Sequence, residues 1–171
     1  MAKHSIVRLD NMSGTTDGTL LRSVRYNGGS ADADIDNGMV VKLEALLAGE
    51  REVWKGVTPA ANTPLNEVVL IATPEVMTDV RYPSLSDFYN IAGTNARGYK
   101  FHKGDIFSVS EDAIDGTATV GHVVELQAGV KMKDVASATP GSTVIGKVIQ
   151  LETVGTVKYV VIEVRPAVAG E

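Results

Sequence analysis

Valine outnumbers leucine by more than two to one in this chain, 24 against 11, and isoleucine and threonine add 9 and 14 further side chains branched at Cβ. Branching at Cβ restricts a side chain against the preceding turn of a helix but suits a pleated surface. A chain with this bias is driven towards sheet, and its 17 glycines provide the turns between short strands. The fold class expected is mainly β: a small β-barrel or sandwich-like body with one short helix and an extended N-terminal arm.

The strongest strand signal lies at residues 67–73, where Val68, Val69, Leu70, Ile71 and Ala72 form a continuous apolar run closed by Pro74. That is the pattern of a strand buried on both faces. Further strands are read at residues 39–43, 52–57, 98–101, 106–109 and 118–126. The clearest hairpin joins residues 147–151 to 157–164 through Val154, Gly155 and Thr156. One helix is expected from Ser84. Asp87 completes a capping box, Pro83 staples onto Phe88, Leu85, Phe88, Tyr89 and Ala92 share a face, and Gly93 ends it.

Residues 1–37 read differently from residues 38–171, the expected globular body. Strand candidates at 5–9 and 20–26 lie among glycine-rich linkers and can bury little surface by themselves. This region is expected to be an arm that leans on the body or on a partner. Ile6, Val7 and Leu9 are its expected partner-binding residues, forming an intermolecular strand or clamp.

Several function classes lose their support in the composition. The chain has 171 residues and no cysteine, so it can bury a core without staples and has no thiolate ligand or cysteine nucleophile. Residues 1–5 offer no apolar stretch for a signal peptide, and no segment approaches the ~20 apolar residues of a membrane-spanning helix. Synthesis in a cytoplasm, with no membrane partner, is expected. Lys and Arg number 16 against 21 Asp and Glu, for a net charge of −5, and aromatic residues make up 5%. An acidic chain poor in stacking groups is not expected to bind nucleic acid.

Four local patterns deserve a chemical reading. Gly141 to Val148 approaches a phosphate-binding loop, but Val148 stands where a magnesium-binding hydroxyl should follow Lys147, and the segment reads on into a strand. Asp32, Asp34 and Asp36 resemble the start of a calcium loop. Asn37 and Leu43 stand where that loop needs Gly and a closing Glu, so these carboxylates are weak metal candidates in an acidic turn. His4, His102 and His122 have no zinc-ligand spacing. Lys103-Gly104-Asp105 matches an adhesive tripeptide and equally an ordinary turn. No catalytic constellation or cofactor emerges, and no enzyme activity is expected.

A resemblance builds up along the middle of the chain. It runs through Gly38-Met39-Val40-Val41-Lys42-Leu43, Gly49 to Trp54, Val68 to Met77, Leu85 to Asn90 and Ala96 to Val109. Together these segments, covering roughly residues 38 to 110, resemble small structural head proteins of tailed bacteriophages of Gram-positive bacteria. The resemblance implies a capsid decoration, or cement, protein that binds the outside of the assembled head and stabilises it. It further implies the major capsid protein as partner, self-association as a trimer, and a place on the virion surface after assembly in the host cytoplasm. The other reading open at this point is a head-fibre or adhesin-type β module that binds host-surface carbohydrate, with Asp32, Asp34 and Asp36 as weak calcium candidates.

Overall fold

The computed structural model describes residues 4–14, 17–75 and 84–166. Eleven strands lie within them: β1 (Leu21–Asn27), β2 (Val40–Leu46), β3 (Val53–Val57), β4 (Val68–Ile71), β5 (Ala96–Lys100), β6 (Ile106–Ser110), β7 (Ile114–Asp115), β8 (Val123–Glu125), β9 (Met132–Val135), β10 (Val144–Val154) and β11 (Val157–Val164). The chain is mainly β, as its branched side chains require.

The first five strands close into a barrel in the order β1-β3-β2-β4-β5. Closure depends on β1, which pairs in parallel with β3 (Val24 opposite Trp54) and antiparallel with β5 (Leu21 opposite Tyr99). The remaining strands form a six-stranded sheet in the order β6-β11-β10-β8-β9-β7. Its spine is the β10–β11 hairpin, turned through Gly155 and Thr156. Gly155 has φ +62°, and among the described residues no non-glycine residue has positive φ, which fits a two-residue turn with glycine at its first central position.

Two cores result. The smaller fills the barrel with Val24, Val41, Val69, Ile71 and Ala96, together with Ile35 and Met39. The larger lies between the sheet and the outer wall of the barrel, where Val40, Val68 and Leu70 meet Phe107, Met132, Ile145 and Ile162 among others. The run at Val68 to Ile71 is buried at all four positions, and its alternating side chains serve the two cores in turn.

Inside the barrel, space is short. A Cβ added at Gly56 would lie 2.6 Å from Val24 Cγ1, and one added at Gly98 would lie 2.8 Å from Val69 Cγ2 and 3.1 Å from Val24 Cγ2. These contacts are with stiff, β-branched neighbours that cannot swing away.

Two expectations need correction. Residues 1–37 are not an arm separate from the body, because β1 lies within them and is the strand that closes the barrel. The expected helix is present only as a single 3-10 turn, Leu85–Asp87. Its start is as read: Ser84 and Asp87 form the capping box. It ends at once because Phe88 is extended (φ −79°, ψ 134°), Tyr89 stacks on His4, and Asn90 bridges to Ile35. Tertiary contacts override a short local preference. Pro83, the expected staple, lies outside the described residues, as do Val76 and Met77.

The tight barrel interior generates a test. Gly98→Ala is expected to cost about 1–3 kcal/mol through overpacking, a fall of roughly 3–10 °C in Tm for a chain of this size. Gly18 has no atom within 4 Å of an added Cβ, so Gly18→Ala should stay within about 0.5 kcal/mol. Equal melting temperatures for the two variants would show that the barrel has room to spare.

Candidate functional site

The residues expected to hold a partner are used within the chain. Ile6 is 3% exposed and Val7 1%, Val7 lies in the larger core, and Leu9 packs against that core partly buried. Residues 5–13 run antiparallel beside β6, meeting it in isolated bridges at Val7–Val109 and Ser13–Ile106 on either side of a 3-10 turn at Leu9–Asn11. The Ile6 N–H donates to Ser110 Oγ (3.0 Å), the Ser110 N–H to the Ile6 carbonyl (2.8 Å), and the Arg8 N–H to the Ser108 carbonyl (2.9 Å). Ser13 and Ile106 exchange backbone bonds at 2.9 and 2.8 Å. The expectation of an intermolecular clamp at Ile6, Val7 and Leu9 is therefore corrected: β6 would be an open sheet edge, and this segment covers it. Arg8 continues the strap across the sheet, with its guanidinium 3.2 Å from Glu152 and 5.8 Å from the centre of the Tyr159 ring.

The three aspartates do not converge. Asp36 Oδ1 lies 2.8 Å from His4 Nδ1, and its Oδ2 accepts the Ser5 N–H at 3.3 Å. Asp34 accepts the Ala92 N–H at 2.8 Å, while Asp32 bridges by its backbone to Asn27. No group of three potential metal ligands occurs among the described residues. What the segment builds instead is a polar knot around Asn37, which sequence reading noted only as a mismatch to a calcium loop. Fully buried Asn37 donates to the Thr73 carbonyl (2.9 Å) and to Glu75 Oε1 (3.3 Å), and accepts from the Thr73 N–H (3.0 Å) and Asn90 Nδ2 (3.3 Å). Its own carbonyl accepts the Ser5 hydroxyl at 2.5 Å. One residue thus joins three parts: its side chain ties the end of β4 to the segment before β5, and its backbone carbonyl holds the strap. A lone asparagine carries no sequence signal for this.

The other polar groups are likewise distributed. His122 Nδ1 lies 2.6 Å from Asp134 Oδ2, while Asp134 Oδ1 is buried without a partner among the described residues. A His–Asp pair is half of a proton relay, which needs a hydroxyl or thiol at the other ring nitrogen; no such bond occurs among the described residues. Glu125 is buried and accepts both the Thr139 N–H (2.8 Å) and the Thr139 hydroxyl (2.7 Å), so it holds a loop in place. His102 sits in the turn before β6 and is exposed.

Two surface features remain. At one end of the sheet, a cleft of about 580 Å³ opens between the turn at Lys103 and Gly104 and the ends of β8, β10 and β11. The second is the outer edge of β10. This strand has eleven residues, but β8 pairs with it only at Val144, Gly146 and Lys147. From Ile149 to Val154 no strand among the described residues lies on that side, and Leu151 and Val154 are 44% and 49% exposed.

The knot makes a pH prediction. Burial pushes the Glu75 carboxyl above its ordinary range, against the opposing effect of the Asn37 hydrogen bond. The folded chain therefore holds this proton more tightly than the unfolded chain does. The contribution to stability is fully present below the unfolded value, about pH 4, and is lost as pH rises through the folded-state value. Glu75→Gln keeps an oxygen for Asn37 and carries no charge. Its Tm should exceed the parent's by about a degree or two at pH 7, since the group is only half-buried, and match it near pH 3. A variant less stable at pH 7 would show that the ionised carboxylate is favoured in the knot.

No protein-family model matches this chain, and neither the curated proteins nor the solved structures contain a significant match to it.

Proposed function

We propose that the chain is a non-enzymatic structural protein that decorates a bacteriophage capsid, binding the outside of the assembled head and stabilising it. The observation that carries this reading is the open edge of β10 with Leu151 and Val154 beside it. Such an edge on a rigid sheet binds by accepting a strand from a partner. Backbone hydrogen bonds give affinity and the neighbouring side chains give choice. The sequence resemblance over residues 38–110 names the partner class, the major capsid protein.

A cement protein stabilises a shell by binding the assembled lattice better than its separated subunits, so mass action favours the intact head. Weak single contacts suffice when neighbouring copies touch around a symmetry axis, and a trimer would supply that avidity. The carbohydrate-binding alternative left room for calcium at the weak candidates Asp32, Asp34 and Asp36. Asp34 and Asp36 are already engaged by Ala92, His4 and Ser5, and no other observation favours that reading.

Purified protein mixed with undecorated heads is expected to cosediment at a fixed ratio. Resistance of the heads to heat should rise with occupancy and level off when the lattice is full. The double variant Leu151→Lys, Val154→Lys alters exposed positions, so its Tm should move little, while head binding weakens by at least about tenfold, or 1.4 kcal/mol. Unchanged binding by the variant would remove the β10 edge from the interface. Binding to host cell wall but not to heads would overturn the decoration role.

A further inference from the structure

The geometry points to a second binding site: we propose that the cleft between the Lys103–Gly104 turn and the ends of β8, β10 and β11 receives an acidic peptide segment, with carboxylates flanked by small apolar side chains. Charge, walls and shape all favour such an occupant.

Lys103, Lys147 and Arg165 all border this cleft, and among the described residues Glu163 is the one acidic residue lining it. Arg165 holds Glu163 at 2.6 Å, and these two charges cancel. Lys103 and Lys147 are exposed, and neither makes an ion pair among the described residues. Lys147 stands across from Glu163 in the β10–β11 register, and with Glu163 counted once the described lining still carries two cations in excess, in a chain of net charge −5. Charge complementarity favours an anion here, and the acidic remainder of the molecule repels a long polyanion such as nucleic acid.

The walls restrict the anion further. Val123, Val144 and Pro166 give the cleft an apolar lining, and its size is in the range that encloses most of a ligand of a few residues. A bare inorganic ion would leave that lining unfilled. The free cations are lysines, point charges on flexible stems, whereas the planar fork suited to gripping phosphate belongs to Arg165 and is already occupied. Carboxylates on an apolar peptide satisfy both the lysines and the walls. Two sequence patterns left without a role meet at this place. Lys147 of the phosphate-loop-like stretch lies on a strand, with no helix beyond it. Lys103 lies in a turn closed by the Gly104 N–H on the Val164 carbonyl at 3.0 Å.

The test is a titration of the isotopically labelled full chain, followed by NMR, with the blocked peptide acetyl-Val-Glu-Ala-Glu-Val-amide. Its Gln-for-Glu counterpart, octanoate and inorganic phosphate serve as comparison probes. The acidic peptide is expected to shift the amides of Lys103, Gly104, Lys147 and Val164, and to bind more weakly as salt is raised. The double variant Lys103→Gln, Lys147→Gln removes two exposed, unpaired cations and should keep the parent Tm. Its affinity for the acidic peptide should fall about fivefold to tenfold, as expected for two surface ion pairs. Equal affinity for the Gln peptide, no effect of the double variant, or no shift at millimolar peptide would overturn the proposal. Tighter binding of octanoate or phosphate at the same amides would also overturn it and assign the cleft to a small anion. No capsid enters this measurement, so its outcome is independent of head binding.

Discussion

Strands β2 and β4 form a wall with two dry faces, and both halves of the molecule are built against it. Register places Val40 opposite Leu70 and Val41 opposite Val69, so that Val40, Val68 and Leu70 face the sheet while Val41, Val69 and Ile71 face the barrel interior. In most sheets a slip of one residue is penalised because it turns apolar side chains to water. Here both faces are apolar, and polarity alone does not fix the register. Volume does. Beside Gly56 and Gly98 the barrel has room for Val24, Val41 and Val69 with little to spare, whereas the other face accommodates Leu70, Phe107 and Met132. A slipped β4 would drive Leu70 into the narrower space.

The segment from His4 to Ser13 completes this arrangement from outside. Its backbone covers β6, Val7 joins the larger core, and Ser5 and His4 are fixed to the Asn37 knot and to Asp36. The opposite condition holds at β10, whose outer edge no strand of the described residues covers from Ile149 onwards. One long edge is thus closed by the chain itself and another is left open. That asymmetry makes the open edge a candidate for contact with another molecule, since uncovered edges pair readily.

How much of this was legible in the sequence follows the range of each interaction. The Val68 to Ile71 run announced its double burial by composition alone, and the β10–β11 hairpin was readable from alternation around Gly155, because both signals are local. The helix signal at Ser84 was local too, but the contacts of Tyr89 and Asn90 with residues more than fifty positions away cut it to one turn. For Ile6 and Val7 the apolar character was legible and the partner was not. Nothing near them in sequence shows that β6, a hundred residues on, leaves an edge for them. The cleft shows the same limit. Lys103 and Lys147 were each noted within a familiar pattern, but only the folded sheet brings them to one place.

The separation between the strap and its partner also bears on the order in which the molecule can form. Ile6 is bonded to Ser110 across 104 positions of sequence, and Arg8 reaches Glu152 across 144. During synthesis, at roughly 5–20 residues per second, the strap must therefore wait several seconds before β6 leaves the ribosome. The barrel can close once β5 has emerged, but the outer face of its wall stays wet until the sheet arrives. Assembly dominated by such distant pairings is slow for its size. Until the last hairpin docks, the nascent chain carries an exposed apolar wall and an unattached, sticky leading segment. Both are buried only when β6 and the β10–β11 hairpin are in place.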